Sequence, residues 1–190
     1  MKRHIVLVGL PGSGKTTVGR LVAEQLKGGF VDIDSILNRK EGKPISMIFA
    51  EKGEQAFREM ERKEVETALA NAPAVIAPGG GWAAQPGALE SAKPAAYIIY
   101  LKTRPEIAAA RAAPSGTRPM LMGEDPEAQM RVLIKEREPF YLKADAKVET
   151  DKKTPEQVVA EVVRLAQTSA GRSEERRVGK ECRSRWSPYH

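Results

Sequence analysis

The stretch GLPGSGKT, residues 9–16, decides the fold of this 190-residue chain. Its Gly9, Gly14, Lys15 and Thr16 occupy the fixed positions of a Walker A loop, which follows a strand and opens a helix. Backbone N–H groups of such a loop converge on phosphate oxygens, and the helix N-terminus adds positive potential. The lysine supplies charge to the β and γ phosphates, and the threonine hydroxyl is offered to magnesium. The predicted nucleoside triphosphate site consists of Gly12, Ser13, Gly14, Lys15, Thr16 and Thr17.

Short apolar runs rich in β-branched residues alternate with helix-like segments along the chain. The runs are HIVLVG, GFVDID, AVIAP, AAYIIYL and AKVET, which begin at residues 4, 29, 74, 95 and 146. Longer helices are expected over residues 15–26, 54–70, 104–112, 126–142 and 155–168. This alternation is typical of an α/β fold in which helices cover both faces of a parallel sheet.

Two stretches interrupt the alternation. Residues 35–53 exceed a plain turn and are expected to hold short helical pieces broken at Gly42 and Gly53, whereas residues 113–125 are rich in Pro, Gly and polar side chains. Long insertions in compact domains are often binding segments or lids.

The last residues, 172–190, differ from the rest of the chain. They hold six Lys or Arg against three Glu, which is +3 of the net charge of +6, and they include the single cysteine. They resemble the translation of a sequencing adapter joined to an open reading frame, and we interpret them as an artefactual, disordered tail. A natural basic extension that binds nucleic acid is the alternative. Residues 1–171, the expected single domain, contain no cysteine, which excludes disulfides and Cys-based metal sites there.

Membrane association is not expected from the sequence. No stretch approaches the roughly 20 apolar residues of a membrane span. The apolar run at the N-terminus is shorter than the roughly 7–15 residues of a signal peptide. We therefore expect a soluble cytoplasmic protein without membrane or nucleic-acid partners.

Asp32 and Asp34 end the second apolar run. Ligands bind at this edge in open α/β sheets, and the two-residue period of a strand predicts that both side chains lie on the same side. One carboxylate of such a pair orients water around magnesium, and the other accepts a hydroxyl proton or holds the hydroxyl in line. A helix cap is the equally weighted alternative for one of them.

Several motifs in this order and spacing resemble shikimate kinases. They are the Walker loop, Asp32-x-Asp34, IFAEKGEQAFREMERKEV (48–65), GGGW (79–82), TRPML (117–121) and EREPFYLKA (136–144). The resemblance covers residues 1–168 and implies a P-loop kinase fold with a five-stranded parallel sheet. It also implies a helical substrate-binding segment at residues 33–61 and a mobile lid at residues 112–124. The implied reaction is phosphorylation of the 3-hydroxyl of shikimate by ATP with Mg²⁺, in chorismate and aromatic amino-acid biosynthesis, by a monomer.

The resemblance assigns roles on the acceptor side of the site. Arg58 and Arg137 match carboxylate-binding arginines, whose fork geometry suits a planar carboxylate. Asp34 matches the residue that contacts the hydroxyls and activates the one that is phosphorylated. The acceptor is implied to lie against the bare backbone of Gly79, Gly80 and Gly81, for which a tight turn is the alternative reading.

Two residues next to these acceptor residues each have two possible roles. Glu61, three residues after Arg58, either holds that guanidinium or forms a minor surface ion pair. Trp82 either walls the pocket or packs beneath it, and packing is favoured.

The resemblance also assigns roles on the nucleotide side. Asp32 matches a residue that reaches magnesium, together with Thr16. Arg118 in the lid matches the arginine that swings over the transferring phosphoryl group, where positive charge stabilises the transition state. Arg111 and Pro155 match positions that border the adenine.

Two other functions are weighed against a shikimate kinase. A related small-molecule kinase, such as one for gluconate, shares the loop and the fold, but Arg58, Arg137 and the glycine triplet argue against it. The second alternative is a regulatory domain that resembles shikimate kinases and binds a ligand without turning it over. The Walker loop begins at Gly9, which leaves no room upstream for a DNA-binding module, and the catalytic candidates Lys15, Asp34 and Arg118 are present.

Overall fold

The computed structural model describes residues 1, 3–112 and 125–184, and for residues 173–184 the backbone alone. Nearly all of the expected lid, including Arg118, therefore lies outside the described residues. The strands are β1 (His4–Val8), β2 (Gly29–Asp32), β3 (Ala74–Ala77), β4 (Ala96–Lys102) and β5 (Ala146–Glu149). The helices are α1 (Lys15–Gln25), α2 (Ile33–Glu41), α3 (Ile45–Ala70), α4 (Ala88–Ala92), α5 (Pro105–Ala112), α6 (Pro126–Tyr141) and α7 (Pro155–Ser184).

The five strands form one parallel sheet, as the sequence predicted, and the structure gives their order as β2-β3-β1-β4-β5. Alternate residues of β1 face opposite sides, since Val6 and Val8 belong to one core cluster and Ile5 and Leu7 to another. One face packs on α2, α3, α4, α5 and α6, and the other on α1 and α7. Burial on both faces explains why the strands read as continuous apolar runs.

The expectation for Asp34 was wrong in its local structure. β2 ends at Asp32, and α2 begins at Ile33, so Asp34 lies in the first turn of a helix rather than on the strand. The side chain of Asp32 accepts a hydrogen bond from the Ser35 N–H at 3.2 Å and thereby caps α2. The first N–H groups of a helix have no partner within the helix, and the Asp32 side chain accepts from one of them. An Asp at this position therefore favours a helix that begins directly after the strand.

The glycine breaks expected at Gly42 and Gly53 are both present. Gly42 ends α2 in the left-handed conformation. Gly53, with φ 81° and ψ 167°, interrupts α3. The helix begins at Ile45, before this break, whereas a start at residue 54 was expected. The segment between β2 and the long part of α3 is thus two short helical pieces, with Asp34 near its start and Arg58 in the long part of α3 that follows it.

The last helix is longer than expected. α7 continues to Ser184, past residue 168, so the backbone of residues 172–184 is helical where a disordered tail was expected. Glu, Arg and Lys in this stretch are good helix formers, which allows an existing helix to propagate. Among the side chains of α7 that the structure describes, the buried ones are Val158, Val159, Val162 and Val163. Among the described residues, no helix is sufficiently long and apolar to cross a membrane.

Candidate active site at the carboxyl edge of the sheet

The Walker loop wraps the side chain of Lys15. Its Nζ atom donates hydrogen bonds to the carbonyl oxygens of Gly9 at 2.9 Å and Leu10 at 2.8 Å, and the residue is buried. Gly9 has φ 151°, and a Cβ there would lie 2.6 Å from the Leu101 carbonyl oxygen, so only glycine fits. Gly14, also left-handed, is the N-cap of α1. The loop therefore leads directly into the N-terminus of α1, as the sequence predicted, and this geometry suits an anion.

Thr16 and Asp32 meet beside this loop. The Thr16 hydroxyl donates to Asp32 Oδ2 at 2.9 Å, while Oδ1 of the same carboxylate accepts from Ser35. Asp32 is therefore the helix cap that was weighed as an alternative for one residue of the pair, and it also lies beside the phosphate loop, while its role toward magnesium stays a prediction. Its carboxylate and the adjacent hydroxyl are oxygen ligands of the kind that Mg²⁺ prefers, and this ion commonly takes its other ligands from water and phosphate. Among the described residues there is no cluster of three or more His, Cys, Asp or Glu that would form an all-protein metal cage.

The glycine triplet lies against the predicted acceptor residues. A Cβ on Gly79 would lie 2.4 Å from Glu61 Oε1 and 3.2 Å from Asp34 Oδ1. A Cβ on Gly80 would lie 3.2 Å from Arg137 Nη1, and one on Gly81 would lie 2.3 Å from Arg58 Nη2. The structure therefore brings together residues from α2, α3, α6 and the loop after β3. It needs glycine there because charged side chains occupy the space at Gly79 and Gly81, and because the ring of Pro11, 2.8 Å from a Cβ on Gly80, occupies it at the middle position.

The triplet is also a turn, since the Trp82 N–H donates to the Gly79 carbonyl at 3.1 Å. Trp82 is 2% exposed and belongs to the hydrophobic core, which confirms that it packs beneath the loop. The tight-turn reading therefore holds, and contact of the three glycines with an acceptor substrate stays a prediction.

Glu61 forms a buried pair with Arg58 rather than a surface pair. Arg58 Nη1 donates to Glu61 Oε2 at 2.9 Å, and the Glu61 side chain has no exposed surface. Burial raises the pKa of Glu61, although the charge and hydrogen bond of Arg58 act in the opposite direction. The rings of Phe49 and Phe57 lie 5.7 and 5.4 Å from the guanidinium carbon, which adds cation–π contacts. The direction of the Arg58 fork is therefore set on several sides.

Arg111 and Pro155 line one cavity of about 180 Å³ beside the Walker loop. Its other lining residues are Ser13, Gly14, Thr17, Val18, Thr150, Lys153 and Val158. This position supports the expectation that Arg111 and Pro155 border a base whose phosphates lie on the loop. Thr150 and Lys153 did not stand out in the sequence, because they follow β5 without any motif.

Two further neighbours of the glycine triplet were missed. Tyr141 donates from its hydroxyl to the Gly80 carbonyl at 2.5 Å, and Gln85 Nε2 donates to the Gly81 carbonyl at 3.2 Å. Tyr141 had a signal in the sequence, because it follows Arg137 by four residues and shares its helix face. Gln85 had none.

The comparisons with known proteins agree with this geometry. The family model for shikimate kinase matches residues 11–167. The shikimate kinase of Caldanaerobacter subterraneus subsp. tengcongensis is 40% identical over 162 residues, which is 85% of this chain and 95% of the relative. The shikimate kinase of Symbiobacterium thermophilum is 41% identical over 167 residues, or 86% of this chain and 96% of the relative.

Solved structures give the same result. The structure of shikimate kinase from Acinetobacter baumannii in complex with shikimate has a TM-score of 0.84 and 34% identity, and covers 88% of this chain and 94% of that one. A gluconokinase from Sinorhizobium meliloti, at 19% identity and a TM-score of 0.59 over 90% of this chain and 98% of that one, shares the fold alone. Since the family model spans most of the chain and the relatives align over nearly their whole length, the chain belongs to the shikimate kinase family.

Proposed function

We propose that this protein transfers the γ-phosphoryl group of ATP to the 3-hydroxyl of shikimate, forming shikimate 3-phosphate and ADP in the route to chorismate and the aromatic amino acids. Family membership supports the reaction, and the match favours it over gluconate phosphorylation. The observation that carries the acceptor assignment is the meeting of Arg58, Arg137 and Asp34 around the glycine triplet. Two cationic forks and one carboxylate suit an acceptor with a carboxylate at one end and hydroxyls at the other.

On the nucleotide side, the loop holds the phosphates and the cavity holds the base. The proposed phosphate contacts are Gly12, Ser13, Gly14, Lys15, Thr16 and Thr17. Lys15 exchanges its carbonyl partners for phosphate oxygens when the nucleotide binds, and Arg111 and Pro155 border the adenine. Thr16 and Asp32 would hold Mg²⁺, which neutralises charge on the phosphate oxygens when bound.

On the acceptor side, Arg58 and Arg137 bind the shikimate carboxylate, and the N–H groups of Gly80 and Gly81 face the substrate. Asp34 orients the 3-hydroxyl and takes its proton as the oxygen forms its bond to the γ-phosphorus. The bond from that phosphorus to the bridging oxygen of ADP breaks in the same step. Little covalent chemistry falls to the protein, so catalysis is positioning and charge stabilisation.

Arg118 completes the proposal as the cation over the transferring phosphoryl group. We also propose that the protein acts in the cytoplasm and as a monomer, and light scattering during gel filtration measures the latter directly.

The decisive experiment measures shikimate-dependent ADP release from MgATP by the full chain, with gluconate as the competing acceptor. Arg58→Lys keeps a charge opposite Glu61 but loses the fork, and we expect a loss of about 10- to 100-fold in kcat/KM for shikimate. Arg62→Lys is the matched control, since Arg62 lies one turn further along α3 and is about half exposed.

Each outcome has a clear meaning. Turnover with shikimate that falls in Arg58→Lys and survives in Arg62→Lys supports the proposal. Turnover with gluconate in the absence of shikimate activity would contradict it. Tight ATP binding without turnover of either acceptor would favour a binding-only role.

A further inference from the structure

We infer that Tyr141 is a positioning residue for the acceptor substrate. Its hydroxyl anchors the Gly80 carbonyl and thereby sets both the orientation of the Gly80–Gly81 peptide and the distance between Gly80 and Arg137. The inference rests on the proposed function and adds a residue that has no contact role in it.

The anchor is short and buried. Tyr141 has no exposed surface, lies at the end of α6, and donates to the Gly80 oxygen at 2.5 Å. Its ring packs on that of Tyr100 in β4, with ring centroids 5.1 Å apart. A buried hydroxyl bonded to a carbonyl 61 positions away joins the sheet, α6 and the glycine loop at one point.

The helix that carries Arg137 depends on such an anchor. Pro139 lies inside α6, between Arg137 and Tyr141. It has no N–H, so the bond that a helix would place on the Lys135 carbonyl is missing, and the ring crowds that carbonyl. α6 is therefore held less firmly by its own backbone in the turn that presents Arg137. Tyr141, one turn later on the same face, supplies a tertiary contact to the very loop that Arg137 approaches.

The anchor also orients a backbone donor. The three carbonyls of the triplet accept hydrogen bonds from Trp82 N at 3.1 Å, the Tyr141 hydroxyl at 2.5 Å and Gln85 Nε2 at 3.2 Å, in chain order. A trans peptide is planar, with its C=O and N–H pointing in opposite directions. Holding the Gly80 carbonyl against Tyr141 therefore points the Gly81 N–H away from α6. Loss of the Tyr141 hydroxyl removes this hydrogen bond, and the Gly80–Gly81 peptide is then freer to rotate.

The test compares Tyr141→Phe with Tyr100→Phe in the full chain. Tyr100 is the matched control, because it shares the ring contact and its hydroxyl donates to Glu138 Oε1 at 3.3 Å instead of to the glycine loop. In Tyr141→Phe we expect KM and Kd for shikimate to rise by about five- to tenfold, as for the loss of one buried hydrogen bond. KM for ATP and kcat should stay within about twofold, and Tyr100→Phe should leave both KM values within about twofold.

A merely structural role gives a different pattern. Equal rises in KM for ATP and for shikimate, a loss of helix by circular dichroism, or an unchanged KM for shikimate would overturn the inference. A double-mutant cycle with Arg137→Lys adds an independent readout, because positioning of Arg137 predicts a combined effect smaller than the sum of the single effects. A strictly additive cycle would overturn the link to Arg137.

The unaltered protein separates this inference from the proposed function. If it does not turn over shikimate, the proposed function fails and the inference fails with it. If it turns over shikimate normally while Tyr141→Phe does the same with an unchanged KM, the inference alone fails.

Discussion

Arg58 and Glu61 form an ion pair within one turn of α3, with 2.9 Å between Nη1 and Oε2, and the carboxylate is wholly buried. Removing two charges from water is costly, and their attraction offsets this cost only with good geometry. The contribution of the pair to stability is therefore smaller than its attraction alone, and its clearer consequence is an Arg58 fork that lies against the glycine triplet.

The pKa of Glu61 makes part of the protein's stability depend on pH. Burial raises the pKa in the folded state above its ordinary value of 4.5, so the folded protein binds this proton more tightly than the unfolded chain does. The resulting contribution to the free energy of unfolding is full below the ordinary pKa and is lost as pH rises through the raised one. Glu61→Gln cannot titrate and should lack this dependence.

Urea unfolding of both proteins at a series of pH values measures the difference. The free energy of unfolding of the unaltered protein, relative to that of Glu61→Gln, should decrease as pH rises above 4.5. A difference that stays constant or increases with pH would contradict the assigned cause.

Gly81→Ala should impair acceptor binding more than folding. The new Cβ would lie 2.3 Å from Arg58 Nη2, the far end of a long side chain, which is able to move away. Moving it breaks the alignment with Glu61, so we expect KM for shikimate to rise by about tenfold or more with a small change in Tm. Gly29→Ala is the control, since its Cβ would make an ordinary 3.6 Å contact with Ala74. Equal rises in KM in both variants would argue against the Arg58 explanation.

The two roles of Asp32 are separable by substitution. Asp32→Asn keeps an N-cap acceptor for Ser35, whereas Asp32→Ala loses it at a cost of about 1 kcal/mol in the free energy of unfolding. Both remove the charge beside Thr16, so both should raise the Mg²⁺ concentration needed for half-maximal velocity. Thermal unfolding and Mg²⁺ titration of the activity measure these effects, and an Asn variant with unchanged Mg²⁺ dependence would refute the metal role.

Deletion of residues 172–190 should leave shikimate turnover within about twofold, because the family match ends at residue 167 and the buried side chains of α7 that the structure describes lie at Val158–Val163. Steady-state kinetics of the shortened protein measure this. Salt-sensitive DNA binding by the full chain that disappears on deletion would instead support the alternative of a functional basic extension.

Local patterns were sufficient for much of the fold. The five strands, the Walker loop and the breaks at Gly42 and Gly53 were predicted because each depends on neighbours within a few residues. The error at Asp34 was local as well. The two-residue period of a strand does not apply to Asp34, because the Asp32 side chain caps a helix that begins at the next residue.

The sequence by itself determined the α/β class, the phosphate loop and, through its motifs, the residues proposed to bind the acceptor. Tertiary structure alone decided that Glu61 is buried and that Tyr141 bonds to Gly80. The physical reason is separation along the chain. Helix and turn signals act over a few residues, whereas burial and the contact between Tyr141 and Gly80, 61 positions apart, exist only once the sheet has brought α3, α6 and the glycine loop to one edge.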